Sequence, residues 1–196
     1  MPSDYEHQYT PTGGGNNVSY LDPDIILFLG DQFYEATGGY GVIYEGDFDD
    51  LCIEYLRKWL LFGWSYRELF RHKPCAIIPD DHDVYHGNVW GEGGAVADTS
   101  KGFGASSQDS GGYKMSPEWI NMIQFTQTSH LPDPYDARPV KQVIGVYYTQ
   151  WKYAGLSFAI LEDRKFKSAP MHVLPKEADI WNGWIQNENF DIKKYK

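Results

Sequence analysis

Two short stretches of the sequence concentrate side chains that can bind a metal ion or transfer a proton. Gly30-Asp31 is followed by Tyr34, and further along the chain Asp80, Asp81 and Asp83 surround His82. Three carboxylates around one histidine repel each other unless a cation or a protonated imidazole lies among them. A metal ion bound to Asp81 would remove that repulsion. The pattern therefore favours a metal site over a solvated acidic turn.

Each of these residues has a chemical role and a structural alternative. The Asp31 carboxylate can bridge two metal ions, and the Tyr34 phenolate can bind Fe(III), because the charge of the metal lowers the pKa of the phenol. On spacing alone, a turn acid and a packed aromatic ring explain this pair at least as well. His82 can donate a proton to a leaving-group oxygen, with its pKa raised by the neighbouring acids.

Two further side chains are candidates for binding phosphate. Asn88 follows Gly87 and can reach a phosphate oxygen or a metal ion, although Gly-Asn pairs are common in ordinary turns. Arg164 can form a bidentate contact with phosphate, and a structural salt bridge to a buried acid explains it equally well. The run at residues 164–167 is expected to form a surface turn.

The elements before the two acidic stretches explain why these residues should meet. Residues 24–29 and 75–79 are short apolar runs, which predict strands, and the first is expected to be buried on both faces. Both runs end in acid. In open α/β sheets, functional sites lie beyond the carboxyl ends of the strands. We therefore expect Asp31 and Asp81 to converge at one edge of a sheet.

The remaining pattern completes an α/β domain. Helical spacing predicts a helix over 47–71, capped by Asp47 and bent or divided at Gly63. Ser116-Pro117 begins a second helix that reaches about Thr128. Residues 91–112 are expected to be a long loop, and residues 144–149 and 156–161 to be paired strands joined by a turn at 152–155.

Composition excludes several classes of protein. The net charge of −10 argues against a nucleic-acid-binding surface, but it permits a small phosphorylated substrate whose charge a metal ion neutralises. No apolar run is long enough for a membrane span. Residues 1–20 contain no signal peptide pattern, and the compartment stays open. Cys52 and Cys75 are expected to be buried thiols and not a bridge.

Several stretches together resemble the PhoD-like alkaline phosphatases of the calcineurin-like metallophosphoesterase superfamily. The similarity extends from about residue 20 to about residue 168. The stretches that carry it are Leu21-Asp22-Pro23-Asp24 through Gly30-Asp31-Gln32-Phe33-Tyr34-Glu35, Pro79-Asp80-Asp81-His82-Asp83 with Asn88-Val89-Trp90, Tyr147-Tyr148, and Leu161-Glu162-Asp163-Arg164.

The resemblance implies a fold, an activity and a set of ligands. The fold would be two packed mixed sheets flanked by helices, and the activity would be hydrolysis of phosphomonoesters and phosphodiesters with iron and calcium. Asp31 would bridge the metals, Tyr34 would bind Fe(III) and Asp81 the second metal. His82 would assist the leaving group, and Asn88 would lie near the second metal or the phosphate.

The resemblance also implies that the domain is incomplete. The superfamily's first Asp-x-His motif and its closing Gly-His-x-His motif are not found. We expect an irregular segment at 1–20, a partial catalytic domain at 21–168 and a C-terminal segment without a clear pattern at 169–196, so activity of the short chain by itself is an open question.

Two other functions fit the same residues. The chain could be a degenerate domain that binds a metal or a protein partner without catalysis. It could also be a glycosidase that uses two carboxylates, such as Asp31 and Asp81, with some of its many aromatic residues as sugar subsites.

Overall fold

The computed structural model describes residues 21–32, 34, 46–85, 96–100, 112–140, 143–162, 165, 179–181 and 184–186. Along the chain these contain strand β1 (Ile26–Phe28), helices α1 (Phe48–Ser65) and α2 (Arg67–His72), strand β2 (Cys75–Ile77), a 3-10 turn (His82–Val84), helix α3 (Pro117–Thr128), and strands β3 (Tyr148–Tyr153), β4 (Leu156–Leu161), β5 (Asp179–Trp181) and β6 (Trp184–Gln186).

Strands β1 and β2 form a parallel pair, and each is shorter than the apolar run that predicts it, at 24–29 and 75–79. Ile26 lies opposite Cys75 and Phe28 opposite Ile77. The N–H of Ile78 donates to the carbonyl of Phe28 at 3.0 Å, which continues the ladder past the end of β2. Because the strands are parallel and in register, their carboxyl ends lie side by side. The α/β class is confirmed, whereas the two-sheet sandwich stays a prediction.

Helices α1 and α2 pack on one face of this pair. The Phe28 ring contacts the rings of Phe62, Tyr66 and Phe70 at centroid distances of 5.3, 5.2 and 5.5 Å. The predicted break at Gly63 is wrong: Gly63 lies inside α1, and the helices divide at Tyr66, whose backbone leaves the helical region at φ −103° and ψ 11°. We attribute the break to this aromatic packing and not to glycine.

Helix α3 supplies the centre of the core. Trp119, Ile120 and Ile123 are almost completely buried, and the Trp119 ring meets the Tyr55 ring of α1 edge-on at 5.5 Å. The side chain of Ser116 accepts a hydrogen bond from the N–H of Trp119, as expected of an N-cap residue. The predicted bounds of this helix are confirmed.

Strands β3 and β4 form an antiparallel hairpin whose first strand differs from the prediction. β3 covers Tyr148–Tyr153, so residues 144–147 lie outside it, and the turn is only Ala154-Gly155. Both turn residues have positive φ, at 49° and 79°. A two-residue turn of this hand matches the twist of the strands, so pairing continues to Tyr153 and Leu156.

The second face of the β1–β2 pair is more open than the sequence predicts. Leu27 and Leu29 are 48% and 66% exposed, so β1 is not buried on both faces. They line a cavity of about 170 Å³ with Trp151, Phe158 and other residues of the hairpin. The physical reason is that Tyr147, just before the hairpin, and Ile160 of β4 pack against Ala76 of β2 and leave β1 partly uncovered.

Several smaller predictions concern single segments. Cys52 and Cys75 are free thiols, each half-buried. The C-terminal stretch without a clear pattern contains the short antiparallel pair β5–β6. Within the predicted loop at 91–112, only 96–100 and 112 are among the described residues, and Ala97 is buried. None of the helices that the structure describes is long and apolar enough to cross a membrane.

Candidate metal centre

The carboxyl ends of β1 and β2 bring three carboxylates together. One oxygen from each of Asp31, Asp80 and Asp81 lies within 4.8 Å of the others. Asp81 is buried and the other two are half-buried. Hard cations such as Ca²⁺ prefer carboxylate oxygens. The predicted meeting of Asp31 and Asp81 is confirmed, and Asp80 joins them, although the sequence analysis gave Asp80 no ligand role.

Gly30 permits this close approach of the two strand ends. A Cβ on Gly30 would lie 2.2 Å from the Cβ of Asp80 and 2.8 Å from its backbone nitrogen. Gly30 also has φ +102°, in the region that residues with side chains rarely adopt. The glycine before Asp31 is therefore required by the contact between the loops as well as by the turn.

Asp83 lies behind the three carboxylates and is fully buried. Its Oδ2 accepts from the N–H of Asp31 at 2.7 Å and of Asp80 at 2.8 Å. Its Oδ1 accepts from the N–H of Gln32 at 3.1 Å and from Nε2 of Gln127 at 3.0 Å. Burial raises the pKa of Asp83 to about 7, and the hydrogen bonds oppose that shift. From the sequence alone, Asp83 is only an acidic neighbour of His82, and its contacts to both loops are not predicted.

Tyr34 and His82 lie beside Asp31. The Tyr34 hydroxyl donates to Oδ2 of Asp31 at 3.1 Å. The centroids of the Tyr34 and His82 rings are 4.2 Å apart. The backbone N–H of His82 donates to Oδ1 of Asp31 at 3.4 Å. The bond to Asp31 raises the pKa of the Tyr34 phenol, so the phenolate form needs a cation close by. The structure thus brings both predicted residues to the carboxylates.

Gln127 connects this centre to the core. Its Nε2 donates to Asp83 and also to the hydroxyl of Tyr55 at 2.9 Å, and all three side chains are fully buried. Burial raises the pKa of Tyr55 well above its ordinary value, so Tyr55 is a neutral phenol here. A sequence signal existed: Gln127 follows Ile120 and Ile123 at helical spacing, on the apolar face of α3.

Other predicted residues lie elsewhere. Asn88 and Arg164 are outside the residues that the structure describes. The surface turn predicted at 164–167 is wrong at Lys165, which is buried because it bonds to Gln124 Oε1, to the carbonyl of Gly145 at 2.9 Å and to Glu162. Burial lowers the pKa of Lys165 to about 8.

Comparison of the chain with protein-family models, with curated proteins and with solved structures finds no match.

Proposed function

We propose that the chain carries the metal-binding part of a phosphoester hydrolase acting on phosphomonoesters or phosphodiesters. The observation that supports it is the convergence of Asp31, Asp80 and Asp81 beyond two adjacent parallel strands. Two sequence stretches about fifty residues apart thus supply one cluster, at the edge where α/β sheets place their sites.

The donor set fits hard cations. Three carboxylates within 4.8 Å repel one another, and an ion among them would offset that repulsion. Oδ2 of Asp31 accepts from the Tyr34 hydroxyl at 3.1 Å, so these two candidate ligands lie side by side. Iron and calcium are the proposed ions, and Asp31 is the residue that we propose the two ions would share. Bound ions would neutralise phosphate charge and lower the pKa of water.

The chain's own residues would perform the remaining steps. Asp31, Asp80 and Asp81 would hold the ions, with Tyr34 as a ligand from the exposed side. His82, half-buried beside Tyr34, would donate a proton to the departing oxygen of the ester. Asn88 and Arg164 remain the proposed contacts to phosphate.

The composition of the cluster favours this proposal over the glycosidase alternative. A glycosidase needs a pair of carboxyl groups, about 5–5.5 Å apart in retaining enzymes and about 6.5–9.5 Å apart in inverting enzymes. Here Asp80 joins Asp31 and Asp81, and one oxygen from each lies within 4.8 Å of the others. Three converging carboxylate oxygens fit a shared hard cation better than a catalytic pair.

The test is turnover of p-nitrophenyl phosphate and bis-p-nitrophenyl phosphate after loading with iron and calcium. We expect a chelator and Asp81→Asn each to abolish turnover. His82→Ala should reduce turnover of an alkyl phosphate by about 10²–10⁴-fold, and that of p-nitrophenyl phosphate less, because nitrophenolate leaves without a proton. His72→Ala, an exposed histidine on α2, is the matched control.

The other functions predict different results. Turnover of a glycoside that a chelator does not affect would favour the glycosidase. Tight metal binding without turnover of either phosphate ester would favour the non-catalytic domain. Phosphatase turnover that survives Asp81→Asn would contradict the proposed site.

A further inference from the structure

The Asp83 carboxylate joins three separate segments of the chain. It accepts hydrogen bonds from Asp31 and Gln32 in the loop after β1, from Asp80 in the loop after β2, and from Gln127 in α3. The partners in the first loop and in the helix lie 51, 52 and 44 residues away in sequence. Each carboxylate oxygen accepts two bonds, and both oxygens are therefore fully used.

We infer that Asp83 is a positioning residue that assembles the loops carrying Asp31 and Asp80 before any cation binds. The inference rests on the proposed function only for the identity of the ligand. All four donors are protein groups, so the bonds themselves do not depend on an ion. They hold the backbone of both loops through N–H groups and use none of the carboxylate oxygens of Asp31 and Asp80.

The contrasting possibility is that the cation itself gathers the loops. Asp31, Asp80 and Asp81 repel one another, and this repulsion opposes the approach of the two loops beyond the paired strands until an ion arrives. Asp83 counteracts the repulsion from behind, through hydrogen bonds to a buried carboxylate, which are stronger than bonds between neutral groups, and the Gln32 side chain adds a bond to the carbonyl of Ile78 at 2.9 Å. The close approach at Gly30 shows how tightly the two loops meet.

Asp83→Asn tests this arrangement with almost no change in size. An amide has only one oxygen, so its NH₂ group must face two of the four N–H donors whichever way it is turned. Two bonds are lost and donors face donors. Gln127→Met removes one donor and keeps three, and it should therefore have a smaller effect. Ile123→Val, in the same core but with an aliphatic side chain that donates no hydrogen bond, controls for a general loss of stability.

The first measurement is amide hydrogen exchange of chelator-treated protein. We expect the amides of Asp31, Gln32 and Asp80 to be protected in the wild type, and to exchange at least about tenfold faster in Asp83→Asn than in Ile123→Val. Unprotected amides in the metal-free wild type would overturn the inference. So would equal acceleration in the two variants. If Asp83→Asn does not fold, Gln127→Met gives the same comparison, with faster exchange expected at Gln32 above all.

The second measurement is calorimetric affinity for Mn²⁺ and for Ca²⁺ alone. Loss of a residue that orients metal ligands typically weakens binding about 10–100-fold, and we expect that loss in Asp83→Asn, less in Gln127→Met and none in Ile123→Val. Unchanged affinity in Asp83→Asn would overturn the positioning role. A wild type that binds no ion would contradict the proposed function instead, and the exchange result would still decide whether Asp83 holds the loops.

Discussion

Replacing Gly30 by alanine tests the close contact between the two strand ends. The added Cβ would lie 2.2 Å from the Cβ of Asp80, far inside van der Waals contact, and 2.8 Å from a backbone nitrogen that cannot swing aside. The same residue holds φ +102°, which an L-residue resists. Either the loops separate or the backbone of residue 30 changes its conformation, and both outcomes move Asp31 relative to Asp80.

The two contributions can be added from general values. Placing an L-residue in a left-handed conformation costs about 1–2 kcal/mol. Inserting a methyl group into a filled space costs about 1–3 kcal/mol. The sum is about 2–5 kcal/mol, a large part of the roughly 5–15 kcal/mol that stabilises a typical domain. We therefore expect Gly30→Ala to lower the free energy of unfolding by that amount and to weaken cation binding.

The assay is urea unfolding of Gly30→Ala beside Gly63→Ala. Gly63 lies inside α1, and an added Cβ would have no atom within 4 Å apart from its chain neighbours and the backbone of its own helix. Alanine there should raise the free energy of unfolding by about 0.5–1 kcal/mol, because it restricts the unfolded chain and favours the helix. Opposite signs at the two glycines are the expected result. A loss below about 1 kcal/mol at Gly30, with cation binding intact, would refute the reasoning about the contact.

Three other predictions concern residues outside the metal centre. Burial lowers the pKa of Lys165 to about 8 in the folded protein, from an ordinary 10.5. Between these two pH values the unfolded chain binds more protons than the folded chain, so the free energy of unfolding should rise with pH. Lys165→Met should remove that rise, which urea unfolding at pH 8 and pH 10 measures. Asp47→Ala removes the acceptor for the N–H of Asp49 and should cost about 1 kcal/mol by thermal unfolding, whereas an unchanged melting temperature would show that the cap is dispensable. Ile120→Ala empties a fully buried site and should cost about 2–5 kcal/mol, and a loss under 1 kcal/mol would mean that the core around α3 refills the space.

The sequence was sufficient to predict that Asp31 and Asp81 lie close together. Each of two apolar runs ends in acid, and parallel strands place their carboxyl ends at one edge. That argument needs only the order of residues, and the β1–β2 register confirms it. The start of α3 could also be predicted from the sequence, because Ser116-Pro117 is a capping pattern and capping depends only on neighbouring residues.

The different roles of neighbouring acids could not be predicted in this way. Asp80, Asp81 and Asp83 are the same residue type within four positions, so the residue type does not distinguish their roles. The 3-10 turn at His82–Val84, ended by Tyr85 at φ 63°, accompanies the burial of Asp83 in the core. Whether an acid faces a ligand or a set of backbone N–H groups therefore depends on tertiary packing.

Most of the other differences between the sequence predictions and the structure also involve contacts between distant segments. The break occurs at Tyr66, whose ring packs against Phe28 from a strand nearly forty residues earlier in the chain. The length of β3 depends on the two-residue turn at Ala154-Gly155, whose first residue is not typical of such turns. Burial of Lys165 depends on Gln124 and Gly145, which lie 41 and 20 residues away.

The most direct test of the account is metal content by elemental analysis after loading with iron and calcium and removal of free ions. It compares the wild type with Asp31→Asn, which suits the positive φ of 53° at that position. Asp136→Asn makes the same charge change at an exposed ion pair with Arg138 and is the matched control. The account predicts stoichiometric metal in the wild type and in Asp136→Asn, and its loss in Asp31→Asn. Equal metal in all three proteins, or none in the wild type, would contradict it.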